Sequence, residues 1–194
     1  MSTRAAAAEA TRERIVVAAQ DAFMNQWYDD VTIRGIAGAA GVALQTVLNH
    51  FSTKEELCAA ANERLARSIE SARFAVEPGD IAAAVKTLVD DYERTGDASL
   101  RMLAVEERVP AVQPWIALGR KGHQDWVQQV FPAALEGLDG RRRVRRLAQL
   151  VVATDVYTWK LLRRDKGLSR TETVTAMCEL VLALHQPTRE GTEE

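Results

Sequence analysis

Residues 31–57 read VTIRGIAGAAGVALQTVLNHFSTKEEL, and this stretch decides the fold. Thr32 stands where an N-cap belongs, and Gly41 suits the left-handed residue that closes a helix, so the spacing predicts a helix ending near Ala40. Leu44 to His50 forms a second short helical segment. A third begins after Ser52 or Thr53, with Glu55 and Glu56 placed well for the positive end of the helix dipole. Two short helices about a glycine turn, braced by a third, make a helix-turn-helix, a motif whose second helix enters the DNA major groove. Ile33, Ile36 and Ala37 are expected to face Val42, Val47 and Phe51 across the turn. Gly38, Ala39 and Ala40 are expected to let the helices approach closely.

That packing turns Leu44, Gln45, Thr46, Asn49 and His50 outward as the candidate DNA face. Gln and Asn pair bidentately with adenine, and a Thr methyl or a Leu touches the thymine methyl. Thr32 and Lys54, with the backbone amides at the helix starts, suit phosphate contacts, and Arg34 joins the DNA-facing set. The formal net charge of −2 does not favour nucleic acid by bulk attraction. Recognition of DNA must therefore rest on where the charges sit.

Three segments carry a family resemblance: TRERIVVAAQDAF (11–23), WYDDVTIRGIAGAAGV (27–42) and TVLNHFSTKEEL (46–57). Over about the first 65 residues the chain resembles the TetR family of bacterial transcriptional regulators. The resemblance implies a homodimeric, ligand-responsive regulator that binds a palindromic operator, as a repressor by family default, and is released by a small-molecule effector. Three positions depart from the family pattern. Trp27 stands where Gly is common, Ala43 replaces the Ser that caps the recognition helix, and Leu48 replaces a Tyr that contacts phosphate. A missing cap of this kind costs ~1 kcal/mol.

The rest of the chain also reads as helix, and the expected fold class is all-α with about nine helices. Residues 1–54 form the expected DNA-binding domain, 55–78 a connecting helix, and 79–194 the effector-binding and dimerisation domain that the resemblance implies. The first helix is expected from Thr11, as N-cap, to Asn25. The fourth runs to about Phe74, before a break at Glu77-Pro78-Gly79-Asp80. Later helices are expected at Ile81–Arg94, Ser99–Val109, Trp115–Leu135 (bent near Pro132), Arg142–Arg164, and from a Ser169–Glu172 capping box to His185, with Thr95-Gly96-Asp97 as a turn. The tail Pro187–Glu194 reads as disordered.

The eighth and ninth of these helices are the expected dimer pair. The eighth carries an apolar stripe (Val144, Leu147, Ala148, Val151, Val152, Val156, Trp159), and the ninth carries Val174, Met177, Val181 and Leu184. Asp155 lies within the first stripe, and its carboxylate serves either an effector pocket or a structural hydrogen bond. Trp115, Trp126, Phe131, Tyr157 and Trp159, with Met102, Glu106 and His123, are the candidate effector-lining residues. The run Arg141-Arg142-Arg143-Val144-Arg145-Arg146 reads as a solvated helix start paired with nearby acids.

No Gly-rich phosphate loop, HExxH pair or nucleophile elbow occurs in the sequence, so no catalytic residue is assigned. Cys58, Cys178 and three scattered histidines suggest neither a metal site nor a cofactor, and both thiols are expected to be buried and reduced. The absence of a membrane-length apolar run and of a signal-like N-terminus points to the cytoplasm. A helical protein-interaction adaptor with a degenerate DNA-binding head is the alternative function.

Overall fold

The computed structural model describes residues Thr3–His185, so the expectation for Pro187–Glu194 lies outside the described residues. The helices are α1 (Thr3–Asn25), α2 (Ile33–Ala40), α3 (Leu44–His50), α4 (Lys54–Arg73), α5 (Ile81–Leu103), α6 (Gln113–Val130), α7 (Gly140–Ala153), α8 (Val156–Lys160) and α9 (Arg170–Ala183). Among the described residues there is no strand, as the all-α reading requires, and no helix is long and apolar enough to cross a membrane. The described residues fall into two compact units. One comprises the chain up to Glu70 together with Asp97–Gly119, and the other comprises Ser71–Gly96 and the chain from Arg120 onward.

In the first unit, Ile15, Ala19, Phe23, Ile36, Ala37, Val47, Phe51 and Leu57 form the centre of one apolar core, to which Val105, Val112 and Ile116 also belong. α1 starts eight residues before the expected Thr11. The Ala-rich stretch before it sustains helix, and the Thr11 hydroxyl donates back to the Ala7 carbonyl at 3.0 Å instead of capping. Ile36, Ala37, Val47 and Phe51 are buried together, with Ile33 and Val42 packed at the edge. Gly38 and Ala39, by contrast, are exposed, and a Cβ on Gly38 would meet nothing within 4 Å. Their small size serves no close approach.

The second unit corrects three element readings. Thr95-Gly96-Asp97 is not a turn, and α5 runs straight through it. The Thr95 hydroxyl donates to the Asp91 carbonyl at 2.8 Å, and Gly96 serves as a notch: a Cβ there would lie 2.5–3.0 Å from the Trp159 ring. The expected Arg142–Arg164 helix breaks at Thr154-Asp155. Thr154 donates its hydroxyl to the Leu150 carbonyl at 2.8 Å, and Asp155 becomes the N-cap of α8, its carboxylate accepting the Tyr157 N–H at 2.8 Å. After Lys160 the chain tightens into a single π turn, Leu161–Asp165. Pro132 ends a helix and does not bend one. α6 stops at Val130, and Pro132 opens a 3₁₀ turn.

Other signals are read correctly. Gly41 (φ 66°) closes α2, Gly79 (φ 91°) turns the chain before α5, and Ser169 with Glu172 forms a reciprocal capping box on α9. Met177 and Val181 are wholly buried within the second unit, and it is Leu180 and Leu182 that face outward on α9. Cys58 is buried, whereas Cys178 is only half-buried; both are free thiols.

Candidate nucleic-acid interface

α2 and α3 are set by capping at both ends of the motif. The Thr32 hydroxyl oxygen accepts the Gly35 N–H at 3.0 Å, and Gly41 returns its own N–H to the carbonyls of Ala37 and Gly38. The α4 start is held by Thr53, which accepts the Glu56 N–H at 3.1 Å, while the Glu56 carboxylate reaches back to the Ser52 N–H at 2.7 Å. α3 is the exception. Its N-cap Ala43 has extended geometry (φ −67°, ψ 148°) and no side-chain hydrogen bond.

Val47 pins α3 to the core, and the rest of that helix is open. Gln45, Leu48 and Asn49 are exposed, while Leu44, Thr46 and His50 are half-buried. Gln45 donates to Asn49 Oδ1 at 3.0 Å, one helical turn apart, so the two amides form a tied pair on the open face. Arg34 and Thr32 are exposed at the start of α2. Lys54 is held more tightly than the sequence suggests. Its ammonium donates to the Tyr28 carbonyl and lies 4.3 Å from the Tyr28 ring centre, and burial pulls its pKa below the usual lysine value. The Tyr28 hydroxyl in turn donates to Glu55 at 3.0 Å. Arg108 donates to Asp29 at 2.6 Å, and this bond is the first cause holding that carboxyl below its ordinary range. The basic and acidic groups of this unit therefore largely cancel, and the recognition face is polar and nearly uncharged.

The candidate effector residues do not form one group. Met102, Glu106 and Trp115 lie in the first unit, where Met102 packs against the core of the DNA-binding head. In the second unit His123, Trp126 and Phe131 do come together. The His123 ring stacks on Trp126 at 5.4 Å, and Trp126 meets Phe131 edge-on at 5.5 Å. Trp159 is wholly buried against Gly96 and packs beside Tyr92 at 5.9 Å. Tyr157 is exposed, and Asp155 spends its carboxylate on capping α8.

The sequence reading missed four residues of this cluster: Arg73, Asp91, Tyr92 and Thr154. Arg73 donates to the buried Asp91 at 2.8 Å, with its guanidinium 5.2 Å from the Tyr92 ring and 5.8 Å from Trp126. Tyr92 donates to the Thr154 carbonyl at 3.0 Å, and Thr154 Oγ1 lies 3.0 Å from His123 Nε2. Asp91 was findable, because it sits on the same inner face of α5 as Leu88 and Thr95.

Burial, and then the charge of Arg73, push the His123 pKa down to about 4 from 6.5. Between those values the unfolded chain binds a proton that the folded chain refuses. Stability is therefore full above pH 6.5 and falls as pH drops through that window, by up to about 3 kcal/mol. Urea unfolding at pH 7, 6 and 5 is expected to show this slope, and His123→Gln is expected to flatten it.

Residues 15–61 match the family model described as bacterial regulatory proteins, tetR family, a span that covers α2, α3 and the start of α4. The chain belongs to the TetR family. Its fold is also similar to those of solved structures. A TetR-family transcriptional regulator from Streptomyces coelicolor is 21% identical over 95% of this chain and 82% of its own, with a TM-score of 0.75. A transcriptional regulator from Rhodococcus sp. Rha1 is 20% identical over 89% of this chain and 95% of its own, at 0.69. The multidrug binding protein EbrR, solved in complex with imidazole, is 19% identical over 87% and 88%, at 0.61. No curated protein sequence matches the chain.

Within this TetR-family head the bare α3 N-terminus is a correctable weakness. Ala43 already has the backbone geometry that a capping serine requires. Ala43→Ser is expected to stabilise the chain by about 1 kcal/mol and to raise duplex affinity by ordering α3. Urea midpoints and duplex titrations of the two proteins side by side check both effects.

Proposed function

We propose that this TetR-family regulator is a homodimeric, ligand-responsive repressor that acts in the cytoplasm on a palindromic operator. The observation that carries this reading is the head: a capped helix-turn-helix whose α3 is pinned by Val47 while the Gln45–Asn49 pair stays open. Amide side chains on an exposed recognition helix read adenine edges, and Thr46 adds a methyl for thymine. Arg34, Lys54 and the amides at the start of α4 are assigned to phosphates, and Leu44 and His50 to the edge of the same face.

The dimer is assigned to the outward faces of α7 and α9. Val144 and Val152 on α7 are 70% and 65% exposed, and Leu180 and Leu182 on α9 are 45% and 51% exposed. Such apolar groups on neighbouring helices favour covering by a second copy of the chain in a four-helix arrangement. Val152→Arg is expected to shift the protein to monomer in sedimentation at micromolar concentration and to weaken duplex binding about tenfold. Unchanged sedimentation would place the dimer elsewhere.

The effector is assigned to the second unit, around His123, Trp126 and Phe131. The complex of EbrR with imidazole supports a small-molecule effector. To act, the effector must prefer the conformation that does not bind DNA, typically by 1–3 kcal/mol. No catalytic role is assigned to any residue. Selection of bound sites from random duplex DNA tests the reading. An enriched inverted repeat is expected, and enrichment of no site at low salt would favour the adaptor function.

A further inference from the structure

Two buried side-chain nitrogens lack a hydrogen-bond partner among the described residues: Arg101 Nε and His123 Nδ1. The second has a determinable protonation state. Thr154 gives its hydroxyl proton to the Leu150 carbonyl at 2.8 Å, so toward His123, 3.0 Å away, Thr154 Oγ1 can only accept. His123 therefore carries its proton on Nε2, and Nδ1 is a bare lone pair. A buried acceptor left without a donor costs free energy that a ligand can recover.

The surroundings restrict which ligand that is. The Arg73 guanidinium stands beside Trp126 with its charge matched by Asp91, so a cation would be repelled and an anion would find no free positive partner. An anion would also oppose the lone pair. Trp126 offers an aromatic wall stacked with the imidazole, and Val127, Val130 and Leu150 are apolar and wholly buried in the same unit. Beside His123, Gly122 has no side chain, and nothing lies within 4 Å of where its Cβ would stand. The low pKa of the imidazole keeps the acceptor neutral throughout the physiological range.

We infer that His123 Nδ1 is the specificity-determining acceptor of the effector site, and that the site takes small, neutral, planar molecules bearing one O–H or N–H donor. This rests on the effector reading of the second unit given above.

Phenol and anisole form a matched pair of probes, alike in shape and differing in the donor. With the full chain labelled at the histidine nitrogens, phenol is expected to move the His123 Nδ1 resonance and to bind about tenfold tighter than anisole. His123→Phe keeps a planar ring and removes the acceptor, so it is expected to erase that preference while leaving the weaker anisole response. Equal affinity of the wild-type protein for the two probes, no binding of either, or an Nδ1 resonance indifferent to phenol would overturn the inference without needing the variant. Operator affinity is measured separately with and without phenol. A moved Nδ1 resonance with unchanged operator affinity keeps the site and removes its regulatory role. Operator binding with a silent Nδ1 keeps the regulator and removes the site.

Discussion

Asp91→Ala is expected to destabilise the second unit by about 3–5 kcal/mol. The Asp91 side chain is 2% exposed, and its partner Arg73, at 2.8 Å, is 11% exposed. Removing the acid leaves a guanidinium held between the Tyr92 and Trp126 rings without its counter-charge. The cost arises from stranding Arg73 and not from losing an attraction of that size. The double variant Arg73→Met with Asp91→Leu is therefore expected to recover most of the loss, since it removes both desolvated charges at once. Urea midpoints at constant m-value measure both effects. A loss below 1 kcal/mol for the single variant would show that water reaches this pair.

Gly96→Ala is the second large effect, and its sign runs against helix propensity. On an open helix face the change stabilises by about 1 kcal/mol. Here the new Cβ would lie 2.5 Å from the Trp159 ring. Trp159 cannot step aside easily, because its Nε1 donates to Glu93 at 3.1 Å and Arg164 covers its ring at 4.5 Å. Overpacking of this kind costs about 1–3 kcal/mol beyond the propensity gain, and Gly96→Val costs more. Trp159→Leu in the Gly96→Ala background is expected to restore part of the stability, which calorimetric Tm values of the four proteins check. A Tm for Gly96→Ala above that of the parent would mean that the ring has room to move.

The head was legible because its signals are local. Thr32, Gly41, Thr53 and the spacing of Ile33, Ile36, Ala37 and Val47 act within a few residues, and the caps and burial follow them. Gly96 shows where such reading ends. Thr-Gly-Asp has turn chemistry, but a tryptophan 63 positions later makes the glycine a packing notch inside a helix. Thr154-Asp155 is the converse: it lay inside an apolar periodicity strong enough to hide an N-cap. The buried polar cluster depends on four separate segments meeting, so the sequence offered aromatics as candidates and missed Arg73, Asp91 and Thr154, which orient them. Lys54 was found as a cation, but its engagement with the Tyr28 carbonyl and ring is a tertiary fact.

The most direct test of a dimeric operator-binding regulator is fluorescence anisotropy with the duplex recovered by selection. The parent protein is compared with the double variant Gln45→Ala, Asn49→Ala, and the parent duplex with one carrying half a helical turn of added base pairs between its half-sites. The expected result is binding of two chains per duplex, a fall in affinity of at least tenfold for the variant, and a comparable loss when the half-sites are rotated apart. Equal binding of both proteins to both duplexes would contradict the account, because neither the α3 face nor the symmetry of a dimer would then be reading the DNA.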